Sequence, residues 1–186
     1  GTCANTVTSA NAVIVIDSPA SVVTQPTASQ TLCVGSGLTL TVVGSGSGTL
    51  SYQWKKDGTA IVGATAATYN VASVTTANAG AYTVDITTSG VCANTVTSNV
   101  ATVIVDSPAA IATQPVATQT LCEGNSVTLQ VVATGTSLTY QWNKGGTPIV
   151  GATNSTYTIA SLTTGDAATY TVDVTSGGTC ANTVTS

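Results

Sequence analysis

The chain repeats itself, and that limits its folding choices more than any other feature. Residues 18–98 align with residues 107–186 at roughly 60% identity across one single-residue gap. SPA, TQP, QTLC, YQW, IVGAT, YTVD and CANTVTS recur in that order. Cys3 and Cys92 stand 89 residues apart, as do Cys33 and Cys122, while Cys92 and Cys180 stand 88 apart. A period of that length suits one small β-sandwich. The segment GTCANTVTS occurs at residues 1–9 and again at 178–186. Residues 1–16 (GTCANTVTSANAVIVI) match the last strand of a repeat, and the second repeat stops before its own counterpart of NVATVIV. The expected organisation is therefore a terminal strand over 1–16 belonging to a preceding repeat, a complete domain over 17–105, and a domain over 106–186 that lacks its last strand. A continuous periodic polypeptide explains this pattern. The alternative is a subunit whose first strand completes the domain of a neighbour, although the duplicated nine residues would then compete for one position.

Composition narrows the functional classes. Charged residues make up 5% of the chain, far below an ordinary soluble domain, so hydroxyls and amides must carry solubility. Three Lys/Arg residues and a net charge of −4 leave nothing to neutralise a phosphate backbone, and nucleic acid is excluded as an expected partner. No apolar run is long enough for a membrane span, so no membrane insertion is expected of this segment. Five cysteines without a CxxC pair, in a chain with no histidine, argue against zinc and for disulfides in an oxidising compartment. The expected location is extracellular or at the cell surface.

Alternation with period two marks the strands. Leu38, Leu40 and Val42 alternate with Thr39 and Thr41, and Leu50, Tyr52 and Trp54 follow in the same way. Asp57-Gly58 then signals a hairpin. Tyr69 and Val71, then Tyr82, Val84 and Ile86, then Val103 and Val105 complete the repeat. The pattern predicts an all-β fold of tandem sandwiches with about seven short strands each.

These residues also carry a family resemblance that covers the whole chain. GLTLTV, YQWKKDG and TYNVASVTTANAGAYTV resemble the B strand, the C strand with its tryptophan, and the E–F corner of an intermediate-set immunoglobulin domain. Tyr82 and Tyr170 match the corner tyrosine, two residues before the position of the family's second core cysteine. The core cysteine positions hold Val42 and Val84, and Val131 and Val172 in the second repeat. The cysteines lie instead at CVG or CEG before strand B and at CANTVTS after strand F. This arrangement resembles the immunoglobulin-like repeats of large bacterial cell-surface and secreted proteins, adhesins of gliding bacteria among them. The resemblance implies a surface-filament or adhesive role.

The chemical inventory is sparse. Trp54 and Trp142 could stack a sugar, but each shares a face with an alternating Leu and Tyr, where an indole anchors a core. Asp17, Asp57, Asp85, Asp106, Glu123, Asp166 and Asp173 are scattered, with no pair placed for acid–base work. Catalytic, metal-binding and cofactor-binding residues are therefore none, and no enzyme is expected. One carboxylate per junction, Asp17 or Asp106, is too few for calcium and reads as a turn former. Lys55, Lys56 and Lys144 flank the C-strand turn and read as solvated charges. Asn154-Ser155-Thr156 is a lone glycosylation triplet, with Ala66-Ala67-Thr68 as its counterpart.

Cys3, Cys33, Cys92, Cys122 and Cys180 allow two disulfide patterns. One pairs Cys33 with Cys92 and Cys122 with Cys180 inside each repeat. The other staples neighbouring repeats through Cys33 and Cys180. In an immunoglobulin-like layout Cys33 sits at the A–B end and Cys92 at the opposite F–G end, on the order of 20 Å away, whereas bridged Cα atoms lie within about 7 Å. Head-to-tail stacking brings those ends together, which favours the staple. Function is thus expected to be structural: a surface stalk or filament with copies of itself as partners, two repeats advancing the axis by under ~80 Å. A module for a surface glycan or a host or neighbour-cell ligand is the alternative.

Overall fold

The computed structural model describes residue 1 and residues 3–186. Thr2, within the 1–16 segment, lies outside the described residues. The first repeat holds β1 (Ser21–Thr24), β2 (Ser29–Cys33), β3 (Leu38–Thr41), β4 (Val43–Ser45), β5 (Leu50–Lys56), β6 (Thr59–Ala60), β7 (Thr68–Val71), β8 (Gly80–Thr88), β9 (Thr95–Thr97) and β10 (Ala101–Asp106). The second holds β11 (Ala110–Thr113), β12 (Val127–Gln130), β13 (Val132–Thr134), β14 (Thr139–Lys144), β15 (Thr147–Pro148), β16 (Thr156–Ile159), β17 (Tyr170–Thr175) and β18 (Thr183–Thr185).

In the first repeat one sheet runs β2-β10-β8-β5-β6, with β9 also on β8, and faces the pairs β1-β4 and β3-β7. Leu38, Leu40 and Val42 point into the core from one layer, and Trp54, Tyr82, Val84, Ile86 and Val103 from the other. Each indole is fully buried, and its N–H donates to a backbone carbonyl, Ala66 O for Trp54 and Asn154 O for Trp142, both at 2.9 Å. Val42 and Val84, like Val131 and Val172, fill the core with hydrocarbon. Burial of apolar side chains, not an inter-sheet disulfide, thus holds the two layers together. The β5-β6 hairpin turns at Asp57-Gly58 with φ of 49° and 80°, and its counterpart at Gly145-Gly146 with 56° and 79°. Two successive positive φ values define the tight turn that suits strand twist, and Asp-Gly or Gly-Gly supplies them at low cost.

The corner tyrosines close the bend before strands β8 and β17. The Tyr82 hydroxyl donates to Asn78 O at 2.8 Å, and the Tyr170 hydroxyl to Asp166 O at 3.0 Å. The lysines depart from expectation. Lys55 pairs with Asp85 at 2.6 Å and Lys144 with Asp166 at 3.0 Å, with lysine side chains only 32% and 35% exposed. Antiparallel pairing places Gln53 opposite Asp85, so Lys55 lies diagonally across the same face and reaches the carboxylate.

The second sandwich differs from the first along one edge. In the first, β2 pairs in parallel with β10, Thr102 opposite Ser29 through Asp106 opposite Cys33. The QTLC sequence of β2 recurs at Gln119–Cys122, yet those residues form no strand. A strand needs a hydrogen-bonding neighbour; among the described residues no strand pairs with 118–122 as β10 pairs with β2. Residues 3–16 likewise form no strand, and Val13, Ile14, Val15 and Ile16 are 80–87% exposed.

Candidate functional site: the junction between repeats and an open groove

The junction is built from three short pieces of chain. β10 delivers Asp106 to the boundary, β2 delivers Cys33 opposite it, and the loop after β17 delivers Gly178-Thr179-Cys180 from the second sandwich. Cys33 and Cys180 are joined by a disulfide with Cα atoms 5.3 Å apart, spanning 147 residues of sequence. Cys180 and Asp106 are buried there. One Asp106 carboxylate oxygen accepts from the Thr179 backbone N–H at 2.8 Å and from the Thr179 hydroxyl at 2.9 Å. The Asp106 carbonyl accepts from Val34 N–H at 2.9 Å. A buried carboxylate without a cation is held by such donors. Glycine at 178 (φ 75°) is required, because a Cβ there would run into the Asp106 carboxylate.

The sequence marked Asp106 only as a turn former; its grip on Thr179 escaped that reading. The signal that could have exposed it is the invariable order Asp-Ser-Pro at each junction and Gly-x-Cys-Ala-Asn at each F–G end. The same pair recurs one repeat earlier. Asp17 accepts from Val91 N–H at 3.0 Å, beside Gly90 and Cys92. Asn182 completes the seat: its side chain accepts from Ala109 N–H at 2.6 Å and donates to Ala109 O at 3.1 Å, anchoring the start of β11.

Of the five cysteines, Cys33 and Cys180 come together, while Cys3, Cys92 and Cys122 are free and exposed. Cys92 is the positional counterpart of Cys180, and Cys122 of Cys33. A groove of about 530 Å³ in the second sandwich is lined by Gln119, Leu121, Leu129, Ile159, Leu162 and Tyr170 among others. Leu129, Leu162 and Tyr170 are partly exposed there, whereas their counterparts Leu40, Val74 and Tyr82 are 0–1% exposed beneath β10 and β2. The groove is the space that β10 occupies in the first sandwich.

Among the described residues no three His, Cys, Asp or Glu side chains gather to hold a metal ion, and no helix is long and apolar enough to cross a membrane. Trp54 and Trp142 lie wholly inside the sandwiches and present no face to a ligand.

The two sandwiches with their corner tyrosines and linked ends define a tandem of immunoglobulin-like repeats. Residues 108–186 match the family described as Ig-like domain, CHU_C associated. Comparison with curated protein sequences finds no match. Among solved structures, the four N-terminal Ig domains of Dscam1 share 18% identity at a TM-score of 0.71, over 92% of this chain and 45% of that one. Sidekick-1 immunoglobulin domains 1–4 share 17% at 0.65, over 91% and 48%. An I-band fragment of titin shares 19% at 0.59, over 90% and 64%. The chain thus spans less than two thirds of each of these structures. At such identities the likeness is one of fold.

Proposed function

We infer that this chain is a structural segment of a secreted or surface-exposed repeat protein, in which sandwiches stacked end to end and stapled by disulfides form an extracellular stalk or filament that serves adhesion. The observation that carries this reading is the Cys33–Cys180 bond beside the Asp106–Thr179 contact. With the polypeptide crossing at Asp106 and a second covalent link a few ångströms away, bending and rotation at the junction are restrained from two points. A recognition module gains little from such a restraint, while a stalk gains reach and resistance to tension. Hydrocarbon at the inter-sheet cysteine positions is consistent with this, since Cys33 and Cys180 are placed at the seam between the sandwiches instead. The roughly 60% identity of the two repeats also supports an array, because recognition domains diverge at their binding loops.

Small-angle scattering on the oxidised chain tests the reading, together with negative-stain images of the native material. An elongated particle that becomes markedly more flexible in Cys33→Ser, and filaments in the native source, are expected. Free tumbling of the two sandwiches in the oxidised chain, or a compact monomer in the native source, would overturn it.

A further inference from the structure

We propose that the Cys33–Cys180 bond is a tension bypass: a pull along the chain runs through residues 17–33, across the two sulfurs and out through residues 180–186, and residues 34–179 carry none of it. This rests on the stalk reading and deepens it by naming the residues that bear the load.

A chain under tension transmits force along its shortest covalent path. Between residues 33 and 180 that path is the disulfide, which holds the two Cα atoms 5.3 Å apart, whereas the backbone between them spans 147 residues. The bypassed loop contains both buried tryptophans, Trp54 and Trp142, and both corner tyrosines, Tyr82 and Tyr170. It can lengthen only after the bond breaks, wherever upstream of Cys33 and downstream of Cys180 the force enters and leaves. Drawn out fully, a loop of 147 residues spans about 500 Å, and that is the extension the bond withholds.

The loaded route has little slack. β1 and β2 are extended, and β2 runs parallel to β10, so it heads for the same boundary to which β10 delivers Asp106. Beyond the sulfurs the chain is extended again in β18, which lies on β17. A strand rises about 3.3 Å per residue, close to the limit of about 3.6 Å for a stretched chain. Tension therefore meets elements that are already nearly taut.

The same route is fastened along its length to the sandwich it protects. Asn94 holds Ala20 twice, its side-chain oxygen accepting from Ala20 N–H at 2.5 Å and its nitrogen donating to Ala20 O at 3.4 Å. The Gln25 side chain accepts from Asn99 N–H at 2.8 Å, Ala28 O accepts from Thr102 N–H at 2.8 Å, and the Gln30 side chain donates to Thr39 O at 3.2 Å. β2 then pairs with β10 from Ser29 to Cys33. Because β2 lies alongside β10, a pull along it loads that ladder in shear, with all its rungs sharing the force, and does not open it one rung at a time. Across the seam the Asp106–Thr179 contact stands one residue from Cys180 and steadies the point where the load changes sandwich.

The test is single-molecule force–extension of the full chain pulled from its two ends, with non-reducing peptide mapping of the same preparation. The unaltered chain is expected to lack the further lengthening of about 500 Å that Cys33→Ser shows. Cys180→Ser, which removes the same bond from the other sandwich, is expected to match Cys33→Ser. Extension reads the length of chain released, so a variant that is merely less stable does not imitate this result. Trp142→Phe weakens a core inside the bypassed loop; it is expected to lower the unfolding force in the Cys33→Ser background and to leave the trace of the otherwise unaltered chain as it was. A long extension in the unaltered chain, or equal shifts from Trp142→Phe with and without the bond, would overturn the proposal. If mapping still finds Cys33–Cys180 in that case, the stalk reading survives the failure; if the bond is missing, both fall.

Discussion

Asp106 and Thr179 stand on opposite sides of the boundary between the sandwiches, joined by two hydrogen bonds of 2.8 and 2.9 Å to one carboxylate oxygen. Because Asp106 is 5% exposed, the carboxylate owes its tolerance to those donors. Asp106→Ala removes the charged acceptor of both bonds. A loss of about 1–3 kcal/mol in stability is expected. Asp17→Ala, which breaks a more exposed single bond, should cost under about 1 kcal/mol by the same reasoning. Urea unfolding of the single variants measures both, and equal costs would show that burial at the junction contributes nothing.

The corner tyrosines offer a matched pair. Tyr82 is fully buried and Tyr170 partly exposed, yet each hydroxyl donates to the carbonyl four residues upstream. Burial also pushes the Tyr82 hydroxyl up to about 12, with the nearby Tyr69 and Asp57 adding to the shift. Tyr82→Phe removes the donor to the half-buried Asn78 carbonyl and is expected to cost about 1–1.5 kcal/mol. Tyr170→Phe should cost clearly less, since water can replace its partner. Chemical denaturation with tryptophan fluorescence resolves the two, because each sandwich contains one buried indole.

Much of this fold was legible because the sequence states it twice. Alternation in Leu38–Val42 and Leu50–Trp54 gave strands and core, and Asp57-Gly58 gave the hairpin; all of these are local signals. What escaped depends on partners distant in sequence. Lys55 looks solvated until the register places Asp85 diagonally across from it. Asp106 looks like a turn residue until the second sandwich presents Thr179. QTLC reads alike at both positions, yet only the copy beside β10 becomes a strand. Strand propensity is conditional on a neighbour.

Acid should expose the capping contacts of the second corner. The Asp166 carboxyl is lowered from its ordinary 3.8 to about 2, chiefly by its hydrogen bond from Lys144 and then by those from Thr163. The Lys144 ammonium is raised in turn by Asp166. A carboxyl lowered on folding stabilises the native state above its unfolded value, and that stabilisation is lost as pH falls through the folded one. Asp166→Asn should therefore be less stable than the unaltered protein at pH 7, and the gap should close between about pH 4 and pH 2. Stability curves against pH for the two proteins check this; a gap independent of pH would assign the effect to packing.

The staple makes the last prediction. Cys33–Cys180 closes a loop of 147 residues, and in the simple chain-entropy model a crosslink of that span restricts the unfolded chain by about 5 kcal/mol. The bond also ties the last loop of the second sandwich to the edge strand of the first, so neither can open that region alone. Reduction, or Cys33→Ser, should lower the unfolding midpoint and split one thermal transition into two, the second sandwich melting first. Its earlier melting follows from the open groove, since Leu129, Leu162 and Tyr170 are less buried than their counterparts. Calorimetry with and without reductant decides the matter: an unchanged single transition would mean that the junction is held by packing, with the disulfide adding nothing to the coupling.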